Sequence, residues 1–117
     1  MNLISHFSNA RNAQETPPGT VFFTEGDAVG PMYVLLGGAA RIFLGHQVIE
    51  IASPGSIFGE MALIDESPRS ATAVATADTK LAVIDQHRFL FLVQETPMFA
   101  LQVMSSLAER LRAADSS

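Results

Sequence analysis

Short apolar runs separated by turn signals fill the chain from residue 17 to residue 85. Pro17-Pro18-Gly19 opens this part, and glycine-containing turns interrupt it repeatedly. Short apolar runs bounded by such turns are typical of strands. Strands are therefore predicted at residues 20–23, 32–36, 39–44, 47–51, 70–76 and 80–84. Because these strands are short and evenly spaced, we expect an antiparallel barrel or jelly roll and not a parallel sheet.

Three of the turns allow a more specific prediction. Gly37-Gly38 suits the positive φ of a hairpin between the strands at 32–36 and 39–44. Gly45-His46 places glycine at the first central position, which favours a type II′ hairpin. Ser53-Pro54-Gly55-Ser56 has proline and glycine in the order of a type II turn.

The two ends of the chain follow other patterns. Residues 1–16 are polar and weakly patterned, which indicates a loose or partly helical lead-in. In residues 86–114 the apolar period becomes helical: Asp85 is a cap for one helix, and Thr96-Pro97 caps and begins another. A polar stripe on the last helix comprises Gln102, Ser105, Ser106, Glu109 and Arg112, and its broad apolar remainder comprises Met98, Phe99, Val103, Met104, Leu107 and Leu111. We expect this helix to cover a ligand or a second subunit as well as its own sheet.

Composition narrows the class of protein. The chain has 117 residues and is 48% hydrophobic, which suits one domain with a real core. Its net charge of −5 argues against a nucleic-acid surface, and the absence of cysteine excludes disulfides and thiolate metal sites. The first residues lack the pattern of a signal peptide, and the apolar runs are too short to cross a bilayer. We therefore expect a soluble cytoplasmic domain with no membrane segment.

The chemistry is concentrated in residues 58–72, where a short helix at 60–64 is inserted between two strands. Gly59 allows close backbone approach at the start of that helix, and the first N–H groups of a helix attract anions. Arg69 is suited to neutralising a phosphate, and Ser70 adds a hydroxyl donor.

Glu60 is discordant beside a phosphate because two anions repel each other. The conflict disappears if Glu60 accepts a hydrogen bond from a sugar hydroxyl, so that Glu60 and Arg69 form a sugar-phosphate clamp. Each residue alone has a plainer explanation: Glu60 compensates the helix dipole, and Arg69 is a solvated turn residue or the ion-pair partner of Glu60. The spacing of the two residues across a strand–helix–strand unit favours the clamp.

Residues 58–72 resemble the phosphate-binding cassette of the cyclic-nucleotide-binding domain family. The family includes the bacterial catabolite activator, protein kinase A regulatory subunits and cyclic-nucleotide-gated channels. The resemblance covers roughly residues 16–112, and its corroborating positions are Pro18-Gly19-Thr20, Glu25-Gly26-Asp27, Met32-Tyr33-Val34 and Gly38. It implies a mainly β fold with flanking helices. This fold is an antiparallel, jelly-roll-like β-roll over 17–85, with a short helix inserted in the cassette and C-terminal hinge and lid helices at 86–114.

The resemblance also implies roles for individual residues. Glu60 accepts from the ribose 2′-hydroxyl, Arg69 pairs with the cyclic phosphate, and Arg110 is a lid over the base, with a solvated local ion pair as its alternative reading. Ile57 or Phe58 joins the apolar walls around the ring. The full implied set is Ile42, Ile49, Phe58, Gly59, Glu60, Met61, Ala62, Arg69, Ser70, Ala71 and Arg110.

The implied function is a non-enzymatic sensor. Serine at position 70, where cyclic-GMP-preferring relatives often carry threonine, favours cyclic AMP and leaves cyclic GMP open. The resemblance requires no cofactor besides this ligand. We expect the signal to pass through the last helix to an unidentified effector or to a second copy, so that a homodimer remains open.

Three alternatives compete with this interpretation. A cupin-like metalloenzyme needs clustered ligands, but His6, His46 and His87 lack ligand spacing. A transcription factor needs a helix-turn-helix after the long helix, and the sequence to Ser117 contains none, so we expect no DNA binding by this chain. A degenerate domain of the same fold that serves as an interaction module is the alternative function, and the presence of both Glu60 and Arg69 argues against it. A stand-alone sensor and a piece of a larger regulator or channel both remain open.

Overall fold

Two four-stranded antiparallel sheets and four helices make up the part of the chain that the computed structural model describes, residues 1–8 and 13–115. One sheet has the order β1-β8-β3-β6 and the other β2-β7-β4-β5. The strands are β1 Ala13–Thr16, β2 Val21–Phe23, β3 Met32–Gly37, β4 Ala40–Leu44, β5 Gln47–Ala52, β6 Ile57–Phe58, β7 Thr72–Ala75 and β8 Thr79–Ile84. The helices are α1 Leu3–Phe7, α2 Glu60–Asp65, α3 Gln86–Glu95 and α4 Pro97–Asp115. The predicted fold, a mainly β roll with flanking helices, is confirmed.

Strand β3 separates two apolar cores, because side chains alternate between the faces of a strand. Its Met32, Val34 and Leu36 belong to a core shared with the helices, whereas Tyr33 and Leu35 belong to the core between the two sheets. The other members of the first core are Leu3, Phe7, Ile57, Leu63, Ala82, Ile84, Leu92, Phe99 and Val103. The other members of the second are Phe23, Ala40, Ile42, Ala52, Phe58, Ala71, Ala73 and Leu81. A strand buried on both faces explains the unbroken apolar run in its sequence.

The Gly37-Gly38 hairpin prediction is wrong. β3 pairs with β8 and β6, and β4 pairs with β5 and β7, so the two glycines carry the chain from one sheet to the other. Gly38 has φ +89°, and a Cβ at this position would overlap the carbonyl oxygen of Asp78. The glycine is needed for this close backbone crossing and not for a hairpin.

The other two turn predictions are confirmed. Leu44 pairs with Gln47 across the β4–β5 hairpin, where Gly45 has φ +62°. In the proline turn, Gly55 has φ +96° and the Ser56 N–H donates to the Ser53 carbonyl at 2.9 Å. Both glycines supply the positive φ that the predicted turn types require.

The N-terminal lead-in is more ordered than the sequence indicates, although its residues 9–12 lie outside the described part. Helix α1 buries Leu3 and Phe7, and β1 pairs with β8, so the sheet begins at Ala13 and not at residue 17. β1 is a polar edge strand, held by backbone pairing and by a hydroxyl contact between Thr16 and Thr79. Such a strand has no apolar pattern for sequence analysis to detect. The two-residue strand β6 was not predicted either.

The C-terminal helices begin where their caps predict. The Asp85 side chain accepts from the Arg88 N–H at 2.8 Å at the start of α3, and α4 begins at Pro97. Along α4, Phe99 and Val103 are buried against the first core. No helix within the described residues is long and apolar enough to cross a membrane.

We predict that Gly38→Ala lowers the free energy of unfolding by about 1–3 kcal/mol more than Gly19→Ala does, measured by urea denaturation. Gly19 has a similar φ of +86°, but a Cβ added there would meet no heavy atom within 4 Å. Both variants force alanine into the left-handed region, which costs roughly 1–2 kcal/mol. The difference between them isolates the crossing against Asp78, so equal losses would contradict the role given to Gly38.

Candidate functional site

A cavity of about 120 Å³ lies beside the start of α2, next to β4 and β5 and at the edge of α4. It brings together every residue that the sequence predicted as a ligand contact. These lining residues are Ile42, Ile49, Phe58, Gly59, Glu60, Met61, Ala62, Arg69, Ser70, Ala71 and Arg110. Phe23, Glu50 and Pro68 also line the cavity and were not predicted.

Gly59 precedes α2 with φ +79°, in the left-handed region that favours glycine. A Cβ here would lie 2.8 Å from Arg69 Nη1 and 3.2 Å from the ring of Phe23. The space that only glycine leaves is therefore filled by the arginine. The close approach of a ligand that the sequence predicts at Gly59 stays a prediction, and within the chain the same glycine makes room for Arg69.

Arg69 is 5% exposed and is held by neutral groups. Its guanidinium donates to the Gly59 carbonyl at 2.8 Å and to the Pro31 carbonyl at 2.5 Å, and it lies 4.1 Å from the ring centroid of Phe23. Burial lowers the pKa of Arg69 from its ordinary value, with nearby Tyr33 acting in the opposite direction. No carboxylate of the described residues lies within 4.0 Å of this cation. The ion pair with Glu60 that the sequence left open is therefore not formed, and the positive charge remains at the cavity wall.

Glu60 is fully buried at the first position of α2. Its Oε1 accepts from Arg110, whereas its Oε2 has no hydrogen-bond partner among the described residues. Burial raises the pKa of Glu60 above its ordinary value, and the charge of Arg110 partly offsets this effect. A buried carboxylate oxygen without a donor is costly. The arrangement is suited to a ligand that brings a hydroxyl donor.

Arg110 connects α4 to the cavity. Its Nε donates to Glu50 on β5 at 3.1 Å, and its two terminal nitrogens donate to Glu60 and to the Ile57 carbonyl. One guanidinium thus joins α4 to β5, β6 and α2. The solvated arginine that the sequence allowed is replaced by a half-buried one with three partners.

The predicted apolar walls occupy different parts of the cavity. Ile42 and Phe58 are buried, whereas Ile49 is exposed at the rim. The side chain of Ile57 lies in the first core, and only its carbonyl is directed to Arg110, so Phe58 is the cavity wall. Ser70 lies exposed beside Arg69.

The unpredicted lining residues have no motif to mark them. Phe23 lies under the Arg69 guanidinium, and its aromatic ring at a strand end is typical of ordinary core. Glu50 stands between two isoleucines on β5. Yet Ile49 and Ile51 are 52% and 67% exposed while Glu50 is half-buried, which reverses the expected pattern.

The histidines do not form a metal site. His6 lies on α1, His46 in the β4–β5 hairpin and His87 on α3. Within residues 1–8 and 13–115, no group of three or more histidine, aspartate or glutamate side chains is arranged to hold a metal ion.

Comparison with known proteins gives consistent matches. Residues 13–96 match the family described as cyclic nucleotide-binding domain. The chain is 38% identical over 104 residues to the cyclic AMP receptor protein of Thermus thermophilus, covering 85% of this chain and 48% of the relative. It is 36% identical over 85 residues to a cAMP-dependent protein kinase regulatory subunit of Hypocrea atroviridis, covering 73% of this chain and 18% of that protein.

Solved structures agree with the sequence matches. The Thermus thermophilus catabolite activator protein superposes with a TM-score of 0.78 and 37% identity over 88% of this chain and 51% of that chain. A structure from work on a cyclic-GMP-dependent signalling pathway in bacterial phytopathogenesis gives a TM-score of 0.80 and 26% identity, covering 96% and 95% of the two chains. The chain thus spans about half the length of the receptor protein. The chain belongs to the cyclic nucleotide-binding domain family, and it is a regulatory cyclic nucleotide-binding domain of the receptor-protein and kinase-regulatory-subunit type.

Proposed function

We propose that the cavity beside α2 is the cyclic nucleotide site of a sensor that prefers cyclic AMP. The observation that carries the proposal is that two unsatisfied groups line the same cavity. Arg69 is a buried cation with no ion-pair partner among the described residues, and Glu60 is a buried carboxylate with one unbonded oxygen. A cyclic nucleotide presents a phosphate anion and a ribose hydroxyl on one rigid unit. The two ends of the ligand match the two unsatisfied groups of the cavity.

The phosphate is assigned to Arg69. Its guanidinium has more N–H donors than the carbonyls of Gly59 and Pro31 use, so donors remain for phosphate oxygens. Ser70 and the backbone of Ala71 line the same part of the cavity and add donors. Since the chain carries a net charge of −5, local neutralisation by Arg69 is the main attraction for an anion.

The ribose is assigned to Glu60, whose Oε2 accepts from the 2′-hydroxyl. This hydrogen bond would satisfy the buried oxygen that has no donor among the described residues. A charge-assisted bond of this kind is stronger than a neutral one. It also gives selectivity for a ribose over a deoxyribose.

The preference for cyclic AMP rests on Ser70 and on the names of the relatives. The receptor protein and the kinase regulatory subunits that match the chain are named for cyclic AMP. Cyclic GMP is the competing ligand, because a cGMP-dependent protein kinase of Plasmodium berghei is 36% identical over 77 residues. Enzymes occur among the relatives, such as a lysophospholipase of Aspergillus fumigatus of which the chain covers 8%. We assign no reaction to this domain itself.

Signalling is assigned to a movement of α4. Helix α4 reaches the cavity through the side chain of Arg110, which donates to Glu60. A ligand that binds Glu60 therefore changes the contacts that hold α4. An exposed apolar stripe of α4, formed by Leu101, Met104 and Leu111, passes the movement to an effector or to a second copy.

The first prediction is saturable binding of cyclic AMP, weaker binding of cyclic GMP and no binding of 5′-AMP, measured by calorimetric titration. Arg69→Ala should weaken cyclic AMP binding by about 1.5–3 kcal/mol, the range for hydrogen bonds to charged groups. The exposed Arg41 on β4 provides the matched control, and Arg41→Ala should bind as the wild type does. A folded, nucleotide-free chain that binds no cyclic nucleotide would instead support a degenerate interaction module.

The second prediction concerns the ribose contact. Glu60→Gln should weaken cyclic AMP binding by about fivefold, because a charge-assisted hydrogen bond becomes a neutral one. The same substitution should weaken the binding of 2′-deoxy cyclic AMP less, since that ligand has no hydroxyl to donate and is affected only through the contact between Glu60 and Arg110. Glu95→Gln at the exposed end of α3 is the control. An equal loss for both nucleotides would show that Glu60 acts elsewhere than at the ribose.

The third prediction is that cyclic AMP changes the distance between spin labels at Leu101 on α4 and Val21 on β2, measured by pulsed electron resonance. Both positions are exposed, and the chain has no cysteine, so two introduced cysteines are labelled without background. A chain labelled only at Leu101 reports distances to a second copy. An unchanged intramolecular distance at saturating nucleotide would remove α4 movement from the mechanism.

A further inference from the structure

Glu50 is an acidic side chain of the cavity rim that neither the sequence nor the proposed ligand contacts explain. It lies on β5 and accepts from Arg110 Nε at 3.1 Å, while another nitrogen of the same guanidinium donates to Glu60. A single cation therefore serves two carboxylates on two different elements. The side chains of Arg110 and Glu50 are 28% and 32% exposed, whereas that of Glu60 is fully buried.

The arrangement places two like charges near each other with Arg110 between them. Glu50 contributes to the raised pKa of Glu60, which means that it disfavours the ionised form of its neighbour. If Arg110 left the cluster, the two carboxylates would face each other with no intervening cation. Their mutual repulsion therefore favours any state in which the guanidinium stays.

A ribose hydroxyl at Glu60 would alter this sharing. The hydroxyl becomes a second donor to the Glu60 carboxylate, beside the Arg110 guanidinium. Arg110 then keeps its position to the extent that its remaining partners, Glu50 and the Ile57 carbonyl, hold it. Glu50 is the only charged one of these two partners.

We propose that Glu50 is a positioning residue for Arg110: it keeps the guanidinium at the mouth of the cavity while the ribose hydroxyl binds Glu60. Since the ribose is placed at Glu60 only under the proposed function, this role of Glu50 rests on that function. Glu50 contacts the lid and not the ligand. The strength of ligand retention is therefore set partly by a residue of β5.

The plainer role for a glutamate in a strand is a solvated surface position. Glu50 does not fit that role, because it pairs with the buried Ile42 of β4 and is less exposed than Ile49 and Ile51 on either side of it. A partly buried glutamate is unfavourable unless its carboxylate has a partner. Arg110 is that partner.

The experiment compares Glu50→Gln with Glu109→Gln by cyclic AMP titration and by the rate of nucleotide dissociation. Glu50→Gln should raise the dissociation constant about 3- to 10-fold, since the lost ion pair is partly exposed. Most of the change should appear in the dissociation rate, because the lid closes after the ligand enters. Glu109→Gln makes the same change of charge at an exposed position of α4, next to Arg110 in sequence. This variant should bind cyclic AMP as the wild type does.

A second arm separates positioning from a general structural effect. In an Arg110→Gln background, Glu50→Gln should cause no further loss of affinity and is expected to restore part of it, because it removes the unneutralised repulsion with Glu60.

The pH dependence of cyclic AMP binding gives an independent readout. The charges that face Glu60 are Arg110 from α4, Glu50 from β5 and Arg69 before β7.

The sign of the pH effect follows from these charges. Affinity falls as the pH decreases through the raised pKa of Glu60, because the protonated acid is a poorer acceptor. Removing the charge of Glu50 lowers that pKa, so in Glu50→Gln the loss of affinity should begin at a lower pH than in the wild type. An indirect packing effect would weaken binding without shifting the pH at which the affinity begins to fall.

The outcomes are distinguishable. A wild type that binds no cyclic nucleotide refutes the proposed function, and Glu50 then has no lid to position. If the wild type binds and Glu50→Gln binds equally well, the role of Glu50 is refuted and the proposed function is not. The same holds if Glu50→Gln lowers the affinity as much in the Arg110→Gln background as in the wild type. If Glu50→Gln lowers the melting temperature enough to prevent titration, Glu50→Asp is measured instead. This variant keeps the charge on a shorter side chain and should have a higher dissociation constant than the wild type. Wild-type affinity in Glu50→Asp counts against the proposal.

Discussion

The ionic contact of Arg110 with Glu60 and Glu50 is the interaction on which the organisation of the site depends. It crosses from α4 to α2 and β5, and it neutralises a carboxylate that is fully removed from water. An isolated buried carboxylate is strongly unfavourable, so the position of α4 is coupled to the charge of Glu60. Under the proposed function, a ligand bound to Glu60 would act on α4 through this contact, without a relay through the core.

The two arginines of the site are held in opposite ways, and their chemistry differs for that reason. Arg110 is neutralised by carboxylates, whereas Arg69 is seated by carbonyls of Gly59 and Pro31 and by the ring of Phe23. Neutral partners orient a guanidinium without cancelling its charge. Under the proposed function, Arg69 is consequently the group that attracts an anion into a chain of negative net charge, and Arg110 is the group that responds to binding at Glu60.

Much of the fold was predictable because short stretches of sequence determine its turns, helix starts and strands. Turn glycines, the caps at Asp85 and Pro97 and the short apolar runs mark the strands and helices, and the spacing of Glu60 and Arg69 marks the site. The errors have physical causes: β1 is a polar edge strand held by backbone pairing, and Gly38 is required by a crossing against Asp78, which sequence spacing does not reveal. Glu50 was missed because its partner is 60 positions away on α4.

A crystal structure of this chain with cyclic AMP would test the proposed site and its lid together. We expect the cyclic phosphate on the Arg69 guanidinium, the 2′-hydroxyl within hydrogen-bond distance of Glu60 Oε2, and Arg110 still bonded to Glu50. A nucleotide bound away from Arg69, or bound there with Arg110 detached from Glu50, would contradict this mechanism.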